Sequence, residues 1–344
     1  MNALSRSLAA LALVAWSGVA TAQSYSITEI GSLGGTQGSF TNWGAVNDAG
    51  QVTGYSYLSG SQTATAFIYR NGTIQNLGAP DPSQGYGIND AGQVTGFTGT
   101  CGFVTNQGVI DELNNLLAKC GTQPADSSTG VAINSSGHVA GFASSPGGYV
   151  HAVYFADGRI KDLGTLGGKN SYAYGVNYYG QVTGYSETAS GTNHAFVTQL
   201  GGLTDLGTLG GDSSIGYAIN GSGLVTGNSQ IAANTAIHPF LFNNGVMHNL
   251  GGLGGIAGSG LAINSAGQVV GYATLPSGHS RAFLFSGGKL VNLNTLIDPN
   301  DPLARYVMLI SATGISKTGF IVANGIDSRH PGVSQVFLLT PVGM

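Results

Sequence analysis

Three histidines, His151, His194 and His238, stand 43 and 44 residues apart at one place in a recurring segment. Imidazole is the commonest transition-metal ligand, yet zinc needs its ligands converged within about 2.0–2.3 Å of one centre. Side chains at the same place in successive repeats are held apart by the repeat itself. Each imidazole is therefore expected to hydrogen-bond inside its own repeat, and no metal site is expected. The turns Asn47-Asp48-Ala49-Gly50 and Asn89-Asp90-Ala91-Gly92 suggest calcium, which favours carboxylate oxygen. Elsewhere the Asp becomes Ser135, Tyr178, Gly221 or Ser265, so Asx turns with Gly in the left-handed position are the better reading. The loops Gly164 to Gly168, Gly207 to Gly211 and Gly251 to Gly255 lead into strands, whereas a phosphate loop leads into a helix N-terminus. No cofactor is expected.

Glycoside hydrolysis usually needs two carboxyl groups facing one bond, but Glu occurs only at Glu29, Glu112 and Glu187, and most Asp residues occupy repeated turns or strands. No Gly-x-Ser-x-Gly elbow and no Ser, His, Asp set is present. A His and Tyr pair for lyase-type proton abstraction stays open, with His279, Arg329 and His330 the residues to test. Binding has better candidates. Trp43, Tyr86, Tyr172, Tyr174 and Tyr217 offer aromatic faces that suit sugar rings or apolar ligands. Asp327, Arg329 and His330 form a polar cluster outside the repeat.

These residues must be positioned by repeats. The segment Val46 to Gly54 recurs as Ile88 to Gly96, Ile133 to Gly141, Val176 to Gly184, Ile219 to Gly227, Ile263 to Gly271 and, degenerate, Ile315 to Ala323. The anchors Asn47, Asn89, Asn134, Asn177, Asn220, Asn264 and Ser316 are spaced 42, 45, 43, 43, 44 and 52 residues apart, a period that marks propellers and solenoids. The fourth copy divides into strands at Ser171 to Asn177, Gln181 to Ser186, His194 to Gln199 and Leu203 to Leu206. Four short antiparallel strands make one propeller blade. The stretch Tyr25 to Gly31 reads as a fourth strand and the last copy lacks one, so the N-terminal strand is expected to complete the last blade and close the ring. The predicted fold is all-β: a seven-bladed β-propeller with four antiparallel strands per blade.

Ala45, Gly87, Ala132, Gly175, Ala218, Ala262 and Gly314 precede the anchors by two residues, and the residues four before are also small except Trp43. Crowded innermost strands explain this. Val46, Ile88, Ile133, Val176, Ile219, Ile263 and Ile315 are expected to face the other way, into core between blades. Loops after the second strand vary, as in Tyr57 to Thr63, Ser144 to Gly148 and Asp327 to Ser334, and share a face with the Gly-rich crossings. Function is usually placed on such loops.

Charged residues are only 8% of the chain and Gly supplies 58 of 344 residues, a composition for strands and tight turns with few helices. Asp111 to Lys119 is the one stretch of helical character. Residues 1–22 read as a signal peptide cleaved after Ala22, leaving 23–344 as a single propeller domain, secreted or periplasmic. The apolar run is short of a membrane span. Without Arg6, ten Lys and Arg face fifteen Asp and Glu, which argues against a nucleic-acid partner. Cys101 and Cys120 are expected to form one disulfide in an oxidising compartment.

The run His194-Ala195-Phe196 followed by Asp205-Leu206-Gly207-Thr208-Leu209-Gly210-Gly211 resembles the signature of the HAF-repeat family of bacterial extracellular proteins. Thr65-Ala66-Phe67, His151-Ala152-Val153, His238-Pro239-Phe240 and Arg281-Ala282-Phe283 are related versions, and Cys101-Gly102-Phe103 and Gln335-Val336-Phe337 depart furthest. Asn292 to Pro299 looks like the closing repeat of such proteins. The resemblance implies an exported, propeller-like protein and carries no catalytic residue with it. The expectation is an exported, monomeric, non-catalytic binding or scaffold module recognising a glycan or cell-surface component through its variable face. An extracellular polysaccharide lyase or hydrolase is the alternative.

Overall fold

A computed structural model describes residues 23–116, 120–121, 127–199 and 202–343. The expected leader, 1–22, lies outside the described residues. Seven four-stranded antiparallel sheets form the molecule. Blade four shows the plan: Gly167–Val176 innermost, then Val182–Thr188, Asn193–Gln199 and Gly202–Asp205 outermost. Helix is confined, among the described residues, to 3-10 turns at Ala232–Asn234 and Leu293–Leu296. The stretch expected to be helical is corrected in part. Val109–Leu113 is the outer strand of blade two, because Val109 and Ile110 continue the pairing of Cys101–Asn106; 117–119 lie outside the described residues.

The last blade consists of Val307–Ile315, Ile321–Asp327, Ser334–Pro341 and, as its outer strand, Tyr25–Glu29. Closure therefore follows the sequence expectation. Tyr25 pairs with Pro341 and Glu29 with Phe337, and Gln335 Nε2 donates to Glu29 Oε1 at 2.8 Å. The long final spacing is explained by the segment between Leu293 and Tyr306, which lies along the closing strand. Ile297 bridges Tyr25, Asp298 N donates to Tyr25 O (2.8 Å), and Ile27 N donates to Asp301 Oδ2 (2.8 Å). An edge that would otherwise invite another chain is covered.

One residue per blade centres the core. Phe67, Phe103, Val153, Phe196, Phe240, Phe283 and Phe337 are all fully buried, each the third residue of the repeated His-Ala-Phe-like triplet. The small column four residues before the anchor has a steric cause. A Cβ on Gly85 would lie 2.1 Å from Thr53 Oγ1 of the preceding blade, and Gly130, Gly216 and Gly260 meet Thr95, Thr183 and Thr226 in the same way. Those hydroxyls are themselves fixed, since Thr53 Oγ1 donates to Phe67 O at 2.8 Å. Trp43 has no room there. In blade one the regular inner strand, Gly34–Phe40, stops short, and the chain turns at Trp43-Gly44, with Gly44 at φ +71.

The expected alternation along the inner strands is interrupted by bulges, for example between Gly130 and Ala132, Ala173 and Gly175, and Gly216 and Ala218. The extra residue resets which way the following side chains point. Val46, Ile88, Ile133, Val176, Ile219, Ile263 and Ile315 consequently line the axis as one ring. This corrects the expectation that they fill only the space between blades.

The anchor asparagines do more than turn the chain. Asn89 Oδ1 accepts the backbone N–H of Ala91 and Gln93, an Asx turn, while its Nδ2 donates to Asn134 O in the next blade at 3.0 Å. The same inter-blade bond leaves Asn47, Asn134, Asn177, Asn220 and Asn264. Ser316 cannot make it. At that last junction Lys317 N donates to Asp48 Oδ1 (2.8 Å) and Lys317 Nζ reaches Asp48 and Asp90 at 3.2 and 2.9 Å. The carboxylates that invited calcium thus serve a lysine. Partial burial opposes ionisation of Asp90, but its hydrogen bond with Lys317 keeps its pKa below the ordinary carboxylate value.

Candidate binding face

Inner strands begin on the face of the variable loops and end at the asparagine turns opposite. Trp43 in blade one reaches across the axis to Tyr174 of blade four (ring centroids 5.1 Å apart) and Tyr217 of blade five (5.5 Å, interplanar angle 22°). Tyr174 and Tyr217 touch each other at 5.4 Å. The three rings plug the axis, and each remains half-buried with part of its surface open. A cavity of about 140 Å³, lined by these rings, small inner-strand residues and the Ile and Val ring, lies on the axis.

The aromatic surface continues outward. Tyr174 contacts Tyr185 at 5.9 Å, Tyr185 stacks on Tyr172 at 4.9 Å, and Tyr172 meets Phe142 edge-on at 5.0 Å. Tyr172 and Tyr185 are cross-strand partners, so strand register builds the patch. Tyr86 stands apart from the plug and donates to Gln84 Oε1 at 3.1 Å. Sequence reasoning omitted Tyr185 and Phe142, although both follow the recurring Val-x-Gly of their second strands and the strand period of two places them beside the inner-strand aromatics. Burial raises the phenol pKa of Tyr217 and Tyr185 to about 12, and that of Tyr174 further still. These hydroxyls stay protonated at neutral pH, the wrong state for a proton-abstracting base. Exposed apolar side chains Leu58, Tyr149, Ile237, Ile256, Met308 and Ile326 stand at strand ends and crossings on the same face.

The polar cluster resolves into a brace. Asp327 is 0% exposed, and Arg329 donates to it from its backbone N (2.8 Å) and Nε (2.9 and 3.0 Å), with a further contact from Nη2. These hydrogen bonds from Arg329 hold the Asp327 carboxyl below the ordinary carboxylate range. His330 Nδ1 lies 3.9 Å from Asp327, and Arg329 also covers the Tyr306 ring at 4.9 Å. His279 turns to Ser277 Oγ, 3.1 Å away. The repeated histidines bond within their blades: His151 to Asp162 and His194 to Asp205, both at 2.8 Å, and His238 to Asn249 at 3.0 Å. Among the described residues no group of three or more His, Cys, Asp or Glu is placed to hold a metal ion. Cys101 and Cys120 are bridged. No helix of the described residues is long and apolar enough to cross a membrane.

No protein-family model matches this chain, and no curated protein does. Solved structures do. A protein assigned as TolB from Agrobacterium tumefaciens aligns over 78% of this chain and 95% of its own, at 10% identity and a TM-score of 0.50. A puromycin-hydrolyzing peptidase of Mycobacterium tuberculosis aligns over 87% of this chain and 54% of its own, at 13% identity and a TM-score of 0.51. This chain thus spans about half the length of the peptidase. At such identities the likeness is one of fold: the chain is a seven-bladed β-propeller similar to the propellers of these proteins.

Proposed function

We propose that this protein is an exported, monomeric, non-catalytic propeller of the HAF-repeat kind that binds a glycan or another cell-surface component on its variable face. The observation that carries the reading is the Trp43, Tyr174 and Tyr217 stack, half-buried with part of each ring open, at the centre of that face. Aromatic rings in this setting offer apolar area to the C–H faces of sugars while losing little conformational freedom. The Cys101–Cys120 bridge supports an oxidising compartment, in keeping with a leader at 1–22.

Trp43 also supplies the test, because the only other tryptophan is Trp16 in the proposed leader. Emission of the processed protein reports on the plug alone. Titration with a panel of bacterial and plant polysaccharides is expected to change Trp43 emission for at least one polymer, without release of new reducing or unsaturated ends. Retention of no polymer defeats the binding reading. Release of ends defeats the non-catalytic one in favour of a polysaccharide lyase or hydrolase.

A further inference from the structure

The face opposite the variable loops carries the two most exposed tyrosines described here, Tyr178 and Tyr179, at 65% and 73%. Both occupy the Asx turn of blade four. The other copies have Asp48-Ala49, Asp90-Ala91, Ser135-Ser136, Gly221-Ser222, Ser265-Ala266 and Lys317-Thr318 there, so the turn needs no aromatic residue. Among the described residues their one aromatic contact is with each other, edge to face at 5.2 Å. Leaving two such rings in water forgoes burial that favours folding, which makes them candidates for a partner.

The pair forms a ridge between two depressions. Tyr178 borders the axial mouth. Tyr179 borders a groove of about 270 Å³ between blades three and four, with Lys161, Tyr154 and Gln181 in its walls. Lys161 is the cross-strand neighbour of Tyr154 and has no acidic group within ion-pair distance among the described residues, unlike Lys317 on the same face. Gln181 Oε1 is occupied by Asn177 at 2.8 Å, which leaves its amide N–H groups as donors. The Tyr154 hydroxyl is paired with His138 Nδ1 at 2.7 Å.

From this geometry we infer a second binding site, independent of the variable face, for a glycan bearing hexuronate residues. One face of a pyranose ring stacks on Tyr179, its carboxylate pairs with Lys161, and its hydroxyls accept from Gln181. A proline-rich peptide also uses aromatic ridges, but it has no carboxylate in its repeat for an unpaired ammonium in a net acidic protein. Charge complementarity therefore favours the uronate.

The test is calorimetric titration of the intact processed protein with an oligogalacturonate, its neutral galacto-oligosaccharide counterpart and an oligoproline peptide at low salt. The oligogalacturonate is expected to bind and the other two to bind at least about tenfold more weakly, a difference of roughly 1.4 kcal/mol. Tyr179→Ala and Lys161→Gln should each weaken uronate binding by a similar factor, Tyr179→Phe should retain it, and Trp43→Phe should leave it unchanged. Lys161→Gln should also erase the preference over the neutral sugar. Absence of uronate binding overturns the inference, as does binding that survives Tyr179→Ala or a stronger response to oligoproline. Uronate binding lost in Trp43→Phe but kept in Tyr179→Ala would move the ligand to the variable face.

Discussion

The side-chain amide of Asn47 donates to the main-chain carbonyl of Asn89, 3.0 Å away, and this one bond crosses from blade one to blade two. The same side chain receives Ala49 N and Gln51 N on its oxygen. A single residue thus shapes a turn and fastens a blade boundary, which is why the repeat keeps Asn where Asp or Ser would suffice for the turn alone.

Substitution at one such position separates the two roles. Asn134→Ala strands the Asn177 carbonyl and two turn N–H groups, and is expected to cost about 1–3 kcal/mol. Asn134→Ser keeps a turn acceptor, as Ser316 Oγ does for Phe320 N at 3.1 Å, and loses the inter-blade donor, so it should cost less than Asn134→Ala. Urea unfolding with a common slope checks both; an Asn134→Ser variant as stable as the wild type would remove the inter-blade bond from the account.

Gly85 is set against Thr53 Oγ1. Gly85→Ala is therefore expected to destabilise by about 1–3 kcal/mol through overpacking. Thr53→Ala removes the obstructing hydroxyl, so the double variant should lose clearly less than the two single losses added together. Simple additivity in a double-mutant cycle would show that the contact is not the cause.

Asp327 gives a pH signature. Its folded pKa lies below the unfolded value of about 3.9 because Arg329 binds the carboxylate. The stabilisation is then fully present above the unfolded pKa and is lost as pH falls through the folded one. The stability gap between the wild type and Asp327→Asn should stay constant from about pH 7 to 5 and close at lower pH. Arg329→Met should move the acid-unfolding limb to higher pH. Parallel stability curves across this range would contradict the assignment.

Cys101 and Cys120 are 19 residues apart, and closing a loop of that size is worth about 3 kcal/mol in the chain-entropy account. Cys101→Ser with Cys120→Ser should lower thermal stability, and dithiothreitol should reproduce the effect in the wild type only. A reductant response in the double variant would show that the bridge is not what the reductant acts on.

Blade number and strand order were legible in the sequence because each depends on a recurring property, the Asn turn and the small inner column in six copies and the buried Phe or Val in all seven, and closure was legible because a single terminal strand finds its partner in the last copy. The candidate site was legible only in part. Trp43 stood out as the sole bulky residue in a column of Gly and Ala, yet its reach to Tyr174 and Tyr217 depends on a break in the inner strand that periodicity does not express. The bulges were equally hidden, and they turn the Ile and Val ring toward the axis. Asp327, Arg329 and His330 were recognisable as a cluster outside the repeat, but only side-chain placement shows that Arg329 is committed to the buried carboxylate.

Val342 N donates to Ser24 O at 2.9 Å, so the described chain comes back to where it set out. Six blade boundaries are alike, and the seventh is joined by Lys317 and Asp48. The order of blades along the chain is then only a record of where a circle was cut. Joining residues 24 and 342 with a short linker and opening the Asn71-Gly72 turn of blade one would yield a permuted propeller with the same faces, in which blade seven is built from one continuous stretch.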